Sequence, residues 1–284
     1  TWQSTILVRN TDHMPASIKD GDMILTNTTR NKYKNTVFED KNLTNYKTYY
    51  YRFFTCSTDK LYNTGSDMCF VATPTNYYST LSKNSWADIA NAAETGTASS
   101  LWNIGDEIQI KISSGYSYID GTYTLQIWDF NHFDKSDGSG KAGILFGSKS
   151  VIDDKTRMIN STSGTYGGWN NMAIRSSDMD IIYKGLPTDL QKIVKEVNTY
   201  ANCGGANSDK SVGQLAKDKI FIPGFTEVFG PNSQPNVTQT ESNQKQFPIF
   251  TDNKSRIKTI EGGSTGKIWW LRTADLSSYT NCHV

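Results

Sequence analysis

Charge of one sign is what this chain has least of: 29 Lys and Arg stand against 28 Asp and Glu over 284 residues, a formal charge of +1. That balance supplies no field to steer a polyanion and argues against a dedicated nucleic-acid binder. Histidine is almost as scarce. His13, His132 and His283 are the full set, and no His-x-x-x-His or Glu-x-x-His spacing occurs, so a zinc hydrolase built on a helix has no ligands here. Glycine-rich phosphate loops ending in Lys-Ser or Lys-Thr are also missing. The four cysteines, Cys56, Cys69, Cys203 and Cys282, form no CxxC pair and no zinc ribbon. Free thiols packed as small hydrophobes are expected, fitting a chain that folds in a reducing cytoplasm, with Cys56 and Cys69 facing each other across a hairpin as the alternative. No apolar run approaches the ~20 residues of a transmembrane helix, and residues 1–10 lack a signal-peptide pattern, so no membrane insertion is expected. A first residue other than Met suggests a processed or trimmed chain.

What is abundant is uncharged polar sequence: 23 Asn, 28 Ser and 32 Thr, 83 residues together. Such a composition favours strands and loops over long helices. Its length predicts two domains or one large one. The first ~80 residues read as all-β. Runs at Thr5–Val8, Met23–Thr26, Thr48–Thr55 and Met68–Ala72 are dense in β-branched and aromatic residues, and Asp20-Gly21 is a hairpin signal. Short strands at this spacing predict a β-sandwich. A boundary is expected in the polar, proline-containing stretch Pro74–Asn84.

From residue 85 the pattern changes to α+β. Ser85 can cap a short helix with Trp86, Ile89, Ala90 and Ala93 on one face, stopping at Thr95–Thr97. Glu107–Ile112 and Thr122–Trp128 alternate apolar with polar, as half-buried strands do. Leu190, Ile193, Val194 and Val197 form a helical stripe that predicts a helix over Pro187–Tyr200, closed by Cys203-Gly204-Gly205. Another helix is expected over Asn171–Lys184. Helices and strands without regular βαβ alternation predict an α+β domain.

Three polar clusters carry the candidate chemistry. In Asp129–Gly140, oxygen ligands at alternate positions could hold calcium, but the closing bidentate acid is missing, so a connecting Asx turn is favoured and His132 is expected to be structural. Around Gly167-Gly168-Trp169-Asn170-Asn171, the residues Trp169, Asn170 and Arg175 could line a ligand groove; a packed Trp169 and a buried ion pair of Arg175 are the favoured alternative. In Trp269-Trp270-Leu271-Arg272, a period-2 strand sends Trp269 and Leu271 to one face and Trp270 and Arg272 to the other, where Arg272 could stack on Trp270. Trp169, Asn170, Arg175, Trp270 and Arg272 are thus the candidate binding residues. No catalytic residue, metal site or cofactor is assigned. Fifteen Tyr and seven Trp among many Asn, Ser and Gly resemble surfaces that bind saccharides or protein epitopes.

The ordered series Ser85–Ile89, Trp102–Glu107, Trp128–His132, Gly167–Asn171, Leu186-Pro187, Lys219–Ile222, Glu227–Gly230 and Trp269–Arg272 resembles the DUF6273 family of phage and Firmicutes proteins, over roughly residues 85 to 284. Residues 1–80 resemble fibronectin-III-like modules that precede such domains. The resemblance implies a virion or prophage tail component, a fibre or tip protein assembled in the bacterial cytoplasm and acting at the host surface, with a C-type-lectin-like or related α+β fold and no established catalytic residues. Its implied partners are a bacterial surface glycan or protein, other tail proteins and further copies of itself. Similar proteins run past the Trp-Trp-Leu-Arg strand to a Gly-Val-x-Pro-x-Phe strand, whereas this sequence stops at Val284. The expectation is either a truncated chain or a closing strand supplied elsewhere, and a half-made sheet edge would invite pairing with another chain. Three functions compete: non-enzymatic recognition of a cell-wall carbohydrate, a purely structural baseplate or fibre role, and a polysaccharide-acting enzyme, which would need two facing carboxylates such as Asp129 and Asp134.

Overall fold

The computed structural model describes residues 1–63, 68–152, 168–201, 214–231, 241, 243–274 and 281–283. The chain folds as two compact units, Thr1–Asn76 and Tyr77–Val284. The first holds an antiparallel sheet of β1 (Trp2–Asn10), β2 (Asp22–Asn27), β3 (Tyr49–Ser57) and β4 (Cys69–Ala72), in the order β2-β1-β3-β4. Alternation on the two inner strands buries both faces. Ile6, Val8 and Phe54 pack on one side, Leu7, Tyr49 and Tyr51 on the other. Among the described residues this is one sheet, not the two-sheet sandwich expected from the strand spacing. The physical reason lies in residues 28–48, too rich in Asn, Lys and Thr to alternate, which cover the second face with Phe38 and Leu43 from irregular chain. Gly21 at φ +130° brings its backbone so close to Arg9 that a Cβ would sit 2.3 Å from the carbonyl oxygen. Cys56 is buried, but Cys69 is exposed because β4 lies at the sheet edge, and Cys69 pairs in register with Arg52, so the two thiols do not face each other.

The second unit is α+β. Its main sheet is antiparallel, in the order β5 (Glu107–Ile112), β6 (Gly121–Phe130), β7 (Ile144–Ser148), and two ribbons join β8 (Val197–Ala201) to β9 (Gln214–Asp218) and β10 (Trp270–Ala274) to β11 (Asn281–His283). The helices are short: α1 (Trp86–Glu94), α2 (Ala98–Leu101), α3 (Ala173–Ser176), α4 (Asp178–Gly185), α5 (Thr188–Ile193), α6 (Phe225–Phe229) and α7 (Asn253–Arg256), with 3-10 turns η1 (Leu81–Lys83) and η2 (Gly168–Asn171). Among the described residues no helix is long and apolar enough to cross a membrane.

Local signals govern α1 and β5. Ser85 Oγ accepts from the Asp88 amide at 3.1 Å while Asp88 accepts from the Ser85 amide at 2.9 Å, a closed capping box. The helix buries Trp86, Ile89 and Ala92, so its buried stripe runs through Ala92 where Ala90 and Ala93 were expected. On β5, Ile108, Ile110 and Ile112 are buried and the residues between them exposed. The helix expected over Pro187–Tyr200 ends at Ile193: Val194 turns extended, and Val197–Ala201 pairs antiparallel with Gln214–Asp218. Its β-branched Val197 and Thr199 suit a strand better than a helix. Cys203–Gly205 lie outside the described residues. The helix expected over Asn171–Lys184 is broken into η2, α3 and α4, with the last break at Ser177.

Two hydrophobic clusters lie within this unit. One gathers α1, β5, Ile127 of β6, α4 and α5; the other gathers Trp128, Phe133, Phe225, Phe247, Phe250, Trp269 and Leu271. Gly147 lies flat under the Trp128 indole, where an added Cβ would come within 2.0 Å of the ring. Gly147→Ala is therefore expected to cost about 1–3 kcal/mol through overpacking, read as a lowered midpoint in denaturant unfolding.

Candidate functional site

Arg272 is wholly buried on β10. All five of its N–H donors are used: Nε reaches Tyr200 O at 2.9 Å, Nη1 reaches Ile222 O at 2.9 Å and Glu227 Oε2 at 2.8 Å, and Nη2 reaches Glu227 Oε1 and, at 3.2 Å, Gln244 Oε1. The guanidinium lies 5.7 Å from the ring centroid of Phe221, so the aromatic face beneath it is Phe221 and not the expected Trp270. Glu227 also caps α6 by accepting from the Gly224 amide at 2.9 Å. Gly224 is closely surrounded: a Cβ there would come within 2.6 Å of Gln244 Oε1, which would have to shift beside Arg272. Beside this pair, Glu241 accepts from the Thr226 amide at 2.8 Å and from the Thr273 hydroxyl. Burial pushes the Glu241 carboxyl above its ordinary range, with these hydrogen bonds and Arg272 opposing.

The other candidate residues converge on Asp218 of β9. Trp169 Nε1 donates to its Oδ2 at 2.8 Å, Thr199 Oγ1 to the same oxygen at 2.5 Å, and Arg175 Nε to Oδ1 at 2.7 Å. Asn170 Nδ2 donates to Leu215 O at 3.2 Å. Trp169 is 1% exposed. The structure thus brings Trp169, Asn170 and Arg175 together and packs η2 against β10, which carries Trp270 and Arg272. It does so as interior architecture: Trp169 and Arg272 are sealed from any ligand, Arg175 is held in an ion pair, and Trp270 is partly buried against the first cluster. Trp269 and Leu271 join the second cluster, the two-faced split that period 2 demands.

In the loop after β6, Asp129 accepts from the Phe130 amide at 2.7 Å and lies 2.6 Å from His132 Nδ1, with His132 edge-on to Phe133 and Phe247. Asp134 pairs with Lys141 at 2.9 Å, and Asp137 makes an Asx turn to the Ser139 amide at 2.9 Å. These carboxylates are spent on turn geometry. Neither a Gly-x-Ser-x-Gly elbow nor a dinucleotide fingerprint was expected, yet both spacings stand in the sequence: Gly138, Gly140 and Gly143 form Gly-x-Gly-x-x-Gly but lead into strand β7, and Gly262-Gly263-Ser264-Thr265-Gly266 forms Gly-x-Ser-x-Gly but occupies an exposed turn. Neither sits between a strand and a helix, the context that gives those motifs their chemistry.

Two surface features were not visible as motifs. One is the β5–β6 loop. Asp120 accepts from the Ser114 amide at 2.5 Å, the Ser114 hydroxyl at 2.6 Å and the Gly115 amide at 3.1 Å, and the Ser114 bonds chiefly hold its carboxyl below the usual range. That brace presents Tyr116, 49% exposed, edge-on to Tyr118 with ring centroids 5.7 Å apart. The other is a groove of about 440 Å³ beside β7, walled by apolar side chains of α1, α4, α5, β7 and Ile268–Trp270. Lys258 lines it. Its Nζ donates to Ser148 O at 2.7 Å and lies 4.6 Å from the Trp128 ring centroid, and burial pushes its pKa down to about 8.

Residues 150–284 match one family model. That family is DUF6273, a domain of unknown function. The DUF6273 match takes in Trp169, Asp218, Glu227, Glu241, Lys258 and Arg272, while the β5–β6–β7 sheet precedes it. No curated protein and no solved structure matches the chain.

Two outcomes follow from this chemistry. Arg272→Met strands Glu227 in the interior and is expected to cost about 3–5 kcal/mol, most of it recovered in Arg272→Met with Glu227→Gln, by a double-mutant cycle in denaturant. For Lys258, between the folded value of about 8 and the ordinary 10.5 the unfolded chain holds a proton that the folded chain lacks. The penalty is complete below that window, so stability rises with pH across it, by roughly 3 kcal/mol in full. Lys258→Met is expected to flatten that rise, as seen by unfolding at pH values across the window.

Proposed function

We propose that the chain is a non-enzymatic interaction module of a phage or prophage tail, a fibre or tip component that meets the bacterial surface and takes a cell-wall carbohydrate as its ligand. The observation that carries the reading is the braced loop with its exposed Tyr116 against Tyr118. Two amphipathic rings on a loop fixed by Asp120 offer contact area with little conformational freedom left to lose, which suits stacking on a sugar face. The non-enzymatic part is supported by the use made of the interior carboxylates: Asp218, Glu227 and Glu241 serve Trp169, Arg272 and helix amides, while Asp129 and Asp134 serve the turn. On this reading the second unit is a C-type-lectin-like scaffold, the ligand site lies on Tyr116 and not at Trp169 or Arg272, and the protein works outside the cell in which it is assembled.

A purely structural role in a baseplate or fibre is the second reading. It is favoured by β4, exposed at all four positions, with Phe70 45% and Val71 53% exposed at a sheet edge. Binding of the labelled chain to a panel of Gram-positive cells, before and after removal of surface carbohydrate, separates the two. The expected result is saturable, strain-selective binding lost with the carbohydrate and weakened about tenfold or more by Tyr116→Ala, with stability unchanged. No binding to any strain together with a multimeric mass would overturn recognition in favour of assembly.

A further inference from the structure

We infer that the open edge of β7 accepts an added β-strand: an extended polypeptide segment with apolar side chains, seated in the groove between β7 and Ile268–Trp270. The groove touches every residue from Ala142 to Ser148 in succession. A cavity on one face of a sheet would touch alternate residues only. Ile144 and Phe146 belong to the first hydrophobic cluster and Leu145 to the second, so a space lined by all three runs along the strand's edge. Among the described residues β7 is the last strand of its sheet.

The register with β6 fixes which backbone groups face the groove. Lys149 N donates to Thr124 O and Asn131 N to Gly143 O, so the hydrogen-bonded pairs with β6 fall at Lys149, Gly147, Leu145 and Gly143. Ile144, Phe146 and Ser148 therefore turn their N–H and C=O outward. Among the described residues, Ser148 O meets Lys258 Nζ, and no backbone partner meets the outward groups of Ile144 and Phe146. The Trp128 Nε1 and Ser148 Oγ, both in the groove lining, are also buried without partners.

Those groups select the occupant. An aliphatic ligand would fill the volume and leave a row of amides and carbonyls dry and unpaired, each at a cost of about 1–3 kcal/mol. A polypeptide backbone supplies acceptors and donors at the strand repeat, and its alternate side chains point into the two clusters. Lys258 sets the end of the site, since beyond Ser148 the chain pairs with its own segment, Val151 beside Ile260. This inference stands apart from the carbohydrate reading and does not rest on it.

The test uses the full chain and a short acetylated, amidated peptide of alternating valine and threonine, beside the same peptide N-methylated at alternate residues, with laurate as the aliphatic control. Residue-resolved amide exchange is read at Ile144, Phe146 and Ser148. The expected result is saturable binding of the plain peptide, at least about tenfold slower exchange at Ile144 and Phe146, loss of binding on N-methylation, and loss in Ala142→Trp, which fills the groove. Equal binding of the N-methylated peptide, protection by laurate and not by peptide, or peptide binding without protection of β7 would each overturn it. The exchange readout on the parent chain decides the matter even if Ala142→Trp fails to fold.

Discussion

A cation with no access to water holds the second unit together. Removing a guanidinium from solvent is tolerable only when every donor is met and a carboxylate lies alongside. For Arg272 those partners come from separate stretches of chain: Tyr200 at the end of β8, Ile222 and Phe221 ahead of α6, Glu227 within α6, and Gln244 beyond it. None of these elements is long enough to persist alone; α6 spans five residues, well under the ~12 that an isolated helix needs. Glu227 shows the economy of the arrangement, since one carboxylate neutralises Arg272 and caps its own helix through the Gly224 amide.

Asp218 repeats the logic on a smaller scale. Its two oxygens take an indole, a hydroxyl and a guanidinium, fastening η2 and α3 to the β8–β9 ribbon. Trp169 and Arg175, candidate binding residues in the sequence, are both engaged by this carboxylate. The residue types that recognise ligands, a Trp beside glycines and an Arg on the next turn, are the ones that satisfy a buried carboxylate. For Trp169 burial distinguishes the two uses, and its indole partner lies 49 residues along the chain.

The legible parts of the fold were those whose determinants lie within one element. The Ser85 cap and the alternation of Glu107–Ile112 need nothing from elsewhere, and both formed as expected. Thr188–Ile193 shows the limit. Leu190, Ile193, Val194 and Val197 satisfy a helical stripe, yet four apolar residues can straddle a break, and pairing with Gln214–Asp218 draws Val197 into a strand. The split of Trp269 and Leu271 from Trp270 was legible because period 2 is strict; that Arg272 would stack on Phe221 was not, because Phe221 is distant in sequence. The brace of Tyr116 by Asp120 was local but lacked a named motif, and nothing in a linear reading tells a half-buried tyrosine from an exposed one.

Lys258 joins these interior constraints to the open edge. Lysine at a sheet edge ordinarily discourages pairing by keeping its charge in water. Here the ammonium is buried over Trp128 and bound to Ser148 O, with a pKa pushed down to about 8, so it carries none of that solvated repulsion. It consumes one outward carbonyl and leaves the groups of Ile144 and Phe146 facing an apolar space. A lysine placed this way limits the length of an added strand without preventing one. The desolvation it bears is a cost that an apolar residue would not carry, and among the described residues it lies where the β7 edge has no backbone partner, so on the strand-addition reading it fixes register there.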